Sequence, residues 1–235
     1  LIAASTTLNN LTSNKEPQNM EISERQKVLM LSELAEANRM LTGLESLVSR
    51  QMPFCCMVTS SAWGEGKTTL TAGLGMIAAK RADKRILAID MNWYSPGLHQ
   101  CFGLNAEWDL KGYSQGMNLE SLIRPSDVAN LDILTAPAPG GNGDSSSAES
   151  SGVALGILKQ AREAYDVILV DTASVFPTNR RMIDPVVLGN ACDAVILLVL
   201  TGVTPRQQVI QAHEMLESSG AKRVGVVVNH WKNNL

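Results

Sequence analysis

The residues best suited to chemistry are Ser60 to Thr69, which read SSAWGEGKTT. The apolar run FCCMVT leads into them, and TTLTAGLGMIAAK follows. A strand, a glycine-rich turn and a helix in that order make a phosphate-binding loop. Gly64 and Gly66, on either side of Glu65, let the main chain curl so that successive N–H groups face phosphate oxygens. A helix opening near Lys67 adds its unpaired N–H groups and the positive end of its dipole. Lys67 can bridge the β- and γ-phosphates, the Thr68 hydroxyl can ligate Mg²⁺, and Thr69 completes the turn. The general pattern G-x-x-x-x-G-K-[ST] has glycine where this chain has Ser61. An accidental glycine-rich turn would not keep strand, glycines, lysine and threonines in one register. The ligands expected from the loop are therefore a nucleoside triphosphate and Mg²⁺.

A magnesium-bound triphosphate calls for a carboxylate at the end of a nearby apolar strand. Two are available: Asp90 closes RILAID and Asp171 closes YDVILVD. Either alone could be a strand-ending cap. Two of them beside such a loop read as a metal and water site. Asp171 reads as the magnesium ligand, directly or through water, and Asp90 as the base or water-orienting group. Lys67, Asp90 and Asp171 are thus the catalytic candidates, with Thr68 and Asp171 at the metal. His99, His213 and His230 are scattered, and no cysteine pair has zinc spacing, which argues against structural zinc.

The elements that must position these groups follow from hydrophobic pattern. Strands are predicted at Phe54 to Thr59, Arg85 to Asp90, Leu131 to Thr135, Tyr165 to Asp171, Ala194 to Thr201 and Val224 to Asn229. Helices are predicted at Lys67 to Ala82, Val153 to Ala164 and Pro205 to Ser219. Runs such as AVILLVL show no alternation, as expected of strands covered on both faces. The fold class is α/β, a mostly parallel doubly wound sheet with flanking helices. Residues 1–20 read as a flexible tail and 21–235 as one domain that opens with a helix over 21–50. On that helix Met30, Leu34, Ala37, Leu41, Leu44 and Val48 form one apolar stripe, for packing on the domain's own sheet or for a subunit contact. Pro137 to Ser151 reads as a flexible loop, and Phe176 to Ile183, with Arg180-Arg181, as a surface connection.

Composition narrows the function classes. With 20 basic and 23 acidic residues the net charge is −3, giving no basic surplus for nucleic acid, which is not expected as a partner. Four cysteines are too few for a disulfide scaffold and point to a reducing compartment. No apolar run reaches the roughly 20 residues of a membrane span. The N-terminus lacks the pattern of a secretion signal, and its first residue, Leu1, reads as that of a fragment. The expected location is cytoplasmic.

With these motifs in place, the chain resembles the cytoplasmic ATPase domain of bacterial tyrosine kinases. That group lies within the deviant-Walker P-loop NTPases, with the chromosome-partitioning and division-site ATPases. VTSSAWGEGKTT is similar to V-T-S-x-x-P-G-E-G-K-[ST]-T, with Trp63 for proline. ILAIDMNWYSPGLHQCFGL resembles I-D-x-D-x-R-x-P-x-[LI]-H-x-x-F-G-L. YDVILVDTA resembles the third motif, with Ala173-Ser174 replacing its two prolines. DPVVLGNACDAVILLV places Asp184 on a family aspartate, and GVVVN places Asn229 on the asparagine that faces the nucleotide base. The signature lysine of partitioning ATPases falls on Ala62, which favours the kinase branch.

The resemblance implies Mg-ATP binding, ATP hydrolysis or phosphotransfer to tyrosine, and a part in controlling surface-polysaccharide assembly or export. It also implies a homo-oligomer and a membrane-embedded polysaccharide co-polymerase partner that would hold the chain at the inner membrane face. Three departures qualify it. Asn92 replaces the second aspartate of the middle motif, predicting slow turnover, since an amide cannot take a proton. Glu36 and Arg39 match the oligomerisation motif E-x-x-R-x-x-R, but Thr42 replaces its last arginine. The chain ends HWKNNL without the family's tyrosine-rich tail, so the usual autophosphorylation is not expected of it. The alternatives are a catalytically weak, nucleotide-dependent partner-binding module for a membrane protein, and a partitioning-type positioning ATPase.

Overall fold

The computed structural model describes residues 23–47, 52–81, 84–114, 116, 118–138, 147–176 and 182–230. The expected tail over 1–20, Val48 and Arg180-Arg181 lie outside them. Two helices open the described chain, α1 (Glu24–Ser32) and α2 (Ala35–Leu47). Then come β1 (Phe54–Ser60), α3 (Lys67–Arg81) and β2 (Ile86–Asp90). Three short helices follow, α4 (Leu98–Phe102), α5 (Leu110–Ser114) and α6 (Leu119–Leu122), and then β3 (Arg124–Pro125) and β4 (Leu131–Leu134). The remaining elements are α7 (Ser147–Ala164), β5 (Val167–Asp171), α8 (Pro185–Ala191), β6 (Ala194–Leu200), α9 (Arg206–Ser218) and β7 (Val224–Asn229).

The strands form one sheet in the order β3-β4-β2-β5-β1-β6-β7, parallel throughout except for β3. Every residue of β1, β2 and β5 is buried, which explains their unbroken apolar sequence. Alternate residues serve opposite faces. Phe54, Cys56 and Val58 join the core beneath α3, whereas Cys55 and Met57 join the core beneath α7, α8 and α9. All four cysteines are free thiols in these cores. No helix among the described residues is long and apolar enough to cross a membrane.

Two expectations need correction. The helix expected over 21–50 is broken: the chain turns at Glu33 and Leu34, where the Leu34 N–H bonds the Leu31 carbonyl at 3.1 Å. The break rephases the stripe. Val28, Ala37, Leu41 and Leu44 are buried, while Met30 and Leu34 are half exposed, at 49% and 48%. The pair packs on α3 rather than on the sheet, with Leu31 against Gly73. Helix α1 starts at a capping box in which Ser23 and Gln26 satisfy each other's main-chain N–H groups. Second, α7 begins at Ser147, inside the expected loop. Ser150 and Ser151 are buried on it, at 4% and 7% exposure, so serines that look like loop by composition here face the core.

Candidate nucleotide site

Strand β1 lies between β5 and β6, so its C-terminal end opens at the middle of the sheet, where open α/β folds bind ligands. The turn after it carries Gly64 at φ 74° and Gly66 at φ 97°, a region that side chains disfavour. At Gly66 an added Cβ would also lie 2.9 Å from the side-chain amide nitrogen of Asn229, which would have to shift.

Lys67 opens α3 and is only 7% exposed. Its ammonium donates to Ser60 Oγ at 3.0 Å, and the Ser60 hydroxyl donates to the Ala62 carbonyl at 2.6 Å. Burial pulls the Lys67 pKa down, against the opposing charges of Asp171 and Glu65. The next residue, Thr68, donates its hydroxyl to Asp171 Oδ2 at 2.6 Å.

Asp171 ends β5 fully buried, and its other oxygen, Oδ1, has no hydrogen-bond partner. The β2–β5 register sets Asp90 directly beside it. Burial raises the Asp171 pKa to about 8 and the Asp90 charge adds to this, while Thr68, Lys67 and the Thr172 N–H oppose. Asp90 accepts from the N–H groups of Asn92, Gly97 and Leu98, each at 3.0 Å, so both its oxygens are engaged. Burial raises its pKa to about 6 even against those three bonds. The Asp90 carboxyl therefore ties the 92–98 segment to the strand end. There the segment meets Thr68, whose Cγ2 lies 3.1 Å from an added Gly97 Cβ.

A cleft of about 870 Å³ opens beside these groups, lined among others by Gly66, Lys67, Thr68, Asn92 and Asn229, with the buried Asp90 and Asp171 behind its lining. Its far wall comes from α1, α2 and the turn between them, including Met30 and Leu34. Asn92 donates its Nδ2 to the Ser95 carbonyl at 2.7 Å, which leaves its amide oxygen as an acceptor. Trp93, in contrast, is core: its indole N–H bonds the Asp90 carbonyl at 3.0 Å. Trp63 is 53% exposed at the turn and stands edge-on to Tyr94, ring centroids 6.0 Å apart. Asp184 caps α8, accepting from the Val186 N–H at 2.8 Å. Thr204, whose hydroxyl reaches Glu65 in the turn, lies in no motif by which sequence could single it out, and Ser60, though inside the loop motif, carried no sign that it would hold Lys67.

The donors present suit magnesium. Asp171 Oδ1 is a buried, unpartnered hard oxygen next to the Thr68 hydroxyl. Among the described residues no group of three or more His, Cys, Asp or Glu could hold a metal alone. Phosphate and water would complete the shell, as Mg²⁺ requires.

This turn, sheet order and aspartate pair define a P-loop nucleotide-binding fold, and comparison with known proteins agrees. Residues 56–235 match the CobQ/CobB/MinD/ParA nucleotide-binding domain, so the chain belongs to that family and, within it, resembles the bacterial tyrosine kinases. It is 30% identical over 187 residues to the tyrosine-protein kinase YwqD of Bacillus subtilis, covering 79% of this chain and 75% of that one. The kinase domain of the Escherichia coli tyrosine kinase ETK shares the fold, with TM-score 0.71 and 20% identity, covering 85% of this chain and 76% of that one. So does the septum site-determining protein MinD of Pyrococcus horikoshii, solved with Mg-ADP, at TM-score 0.61 and 20% identity over 74% of this chain and 69% of that one.

Proposed function

We propose that the chain binds Mg-ATP and hydrolyses it slowly, acting cytoplasmically with a membrane-embedded polysaccharide co-polymerase in the control of surface-polysaccharide assembly or export. The observation that carries the nucleotide reading is the bare Oδ1 of Asp171, buried beside Thr68 and Lys67 at the mouth of a phosphate-binding turn. Burying a carboxylate oxygen without a partner is costly, and a bound cation would offset that cost. The Mg-ADP complex of the MinD relative supports the same ligand class. The pathway and the homo-oligomer rest on likeness to the tyrosine kinases.

In this reading Gly64, Glu65, Gly66 and Thr69 offer main-chain N–H groups to the phosphates, and Lys67 leaves Ser60 to bridge them. Thr68 and Asp171 hold Mg²⁺, which when bound neutralises charge on the transferring phosphoryl group. Asp90 keeps the 92–98 segment in place, Asn92 orients the attacking group, and Asn229 lies on the base side. One observation favours a second reading, a catalytically weak module that uses nucleotide to bind its partner. Both Asp90 oxygens are engaged, and Asn92 has no charge to accept a proton. Titration of Mg-ATP and phosphate release for wild type and Lys67→Ala separates the two. Turnover that depends on Lys67 supports the enzyme, and tight binding without such turnover supports the module. Failure of wild type to bind Mg-ATP refutes both. A phosphotyrosine assay with Mg-ATP and the membrane partner decides whether tyrosine is an acceptor.

A further inference from the structure

Glu65 sits between the two glycines of the phosphate turn, yet it is 1% exposed and does not line the cleft. Its side chain points to the connection between β6 and α9. There the Thr204 hydroxyl donates to Glu65 Oε1. The same hydroxyl accepts from the Leu200 N–H at 3.1 Å, so its own proton is left for Glu65. The second carboxylate oxygen faces the Ala62 N–H at 3.4 Å, inside the turn itself. The Glu65 carbonyl accepts from Asn229 Nδ2 at 2.9 Å. One residue at the apex of the turn is thus held from the turn, from the β6–α9 connection and from β7.

That connection is itself well anchored. The Thr201 N–H bonds the Asn229 carbonyl at 2.9 Å, and the Thr204 N–H bonds the Leu200 carbonyl at 3.1 Å. A buried carboxylate is costly unless hydrogen-bonded, and a small polar residue would fill a turn at less expense. What the carboxylate adds is a fixed link, across 139 residues of sequence, from the phosphate turn to a separate surface segment. It also sets a negative charge near Lys67.

We propose that Thr204 and Glu65 are positioning residues of the nucleotide site, forming a brace through which the β6–α9 connection holds the phosphate turn in its curled, ligand-ready shape. This rests on the Mg-ATP reading above. Thr204→Val keeps the shape and removes the donor, whereas Thr204→Ser restores it. Two measurements test the brace. In the nucleotide-free protein, hydrogen exchange of the 61–66 amides is expected to speed up in Thr204→Val, with the sheet amides unchanged, and to return to the wild-type rate in Thr204→Ser. In calorimetry, Thr204→Val is expected to bind Mg-ATP roughly tenfold more weakly than wild type, the scale of one hydrogen bond to a charged group. Thr204→Ser regains most of that loss, and Glu65→Gln, which can still accept from Thr204, loses less. Unchanged exchange in the turn, or faster exchange spread evenly over the sheet, overturns the brace. So does equal affinity of wild type and Thr204→Val. If wild type fails to bind Mg-ATP, the functional reading falls, and the exchange comparison, made without nucleotide, still decides the brace.

Discussion

Replacing Asp171 by Asn should make the nucleotide-free protein more stable while removing its response to Mg-ATP. Asp171 keeps its proton up to about pH 8 in the folded chain, whereas an ordinary aspartate loses it near about 4. Between those values the unfolded chain gives up the proton and the folded chain does not. The group's contribution to stability is therefore full below about pH 4 and declines as pH rises toward about 8. At about pH 7.5 the linkage is at most about 5 kcal/mol, and readjustment of Lys67 and Asp90 brings the expected gain from Asp171→Asn to roughly 2 kcal/mol. For a chain of this length that is roughly 5 °C in Tm. The amide oxygen can still accept from Thr68, so the local fold is kept. Urea denaturation in EDTA at about pH 7.5 and about pH 5 measures the effect, and the gain should shrink by half or more at the lower pH. Mg-ATP should raise the wild-type midpoint and leave that of the variant unmoved. A variant less stable than wild type at the higher pH, or one that Mg-ATP stabilises equally, refutes the reasoning.

Three further outcomes are expected. Leu41→Ala empties a site that is 1% exposed in the packing of α2 on α3 and should cost about 3 kcal/mol in urea denaturation. At the opposite end of the sheet, burial raises the Asp193 pKa, but Arg162, the Cys55 N–H and Lys222 outweigh it and hold the carboxyl below its ordinary range. Its stabilisation is present above that range and is lost as pH falls through the lowered value, so Asp193→Asn should flatten the acid limb of a stability–pH curve and destabilise the protein at neutral pH. Asn92→Asp returns a carboxylate to the cleft and should raise Mg-ATP turnover in a phosphate-release assay, leaving nucleotide affinity within about twofold.

Much of the scaffold was legible because its cause is local. The three central strands are buried on both faces and read as unbroken apolar runs, and Gly64 and Gly66 announce a conformation that other residues avoid. The aspartates at the ends of β2 and β5 were visible too, but their adjacency was not, since register between strands far apart in sequence depends on the assembled sheet. The same holds for the bond from Thr204 to Glu65. The break at Glu33 is hidden in the sequence because an apolar stripe can be drawn through it, whereas Val28, buried on α1, falls off that stripe. Ser150 and Ser151 misled in the other direction, being small enough to lie buried in a helix despite a loop-like composition.

The central claim is that the curled turn and Lys67 grip a triphosphate, with Thr68 and Asp171 at its metal. A crystal structure with Mg²⁺ and a non-hydrolysable ATP analogue tests it most directly. The expected density places the phosphates against Gly64 to Thr68, the Lys67 ammonium released from Ser60, and the metal at Thr68 and Asp171. A turn left empty with Lys67 still bonded to Ser60, or one filled by the Trp63 indole, would contradict it.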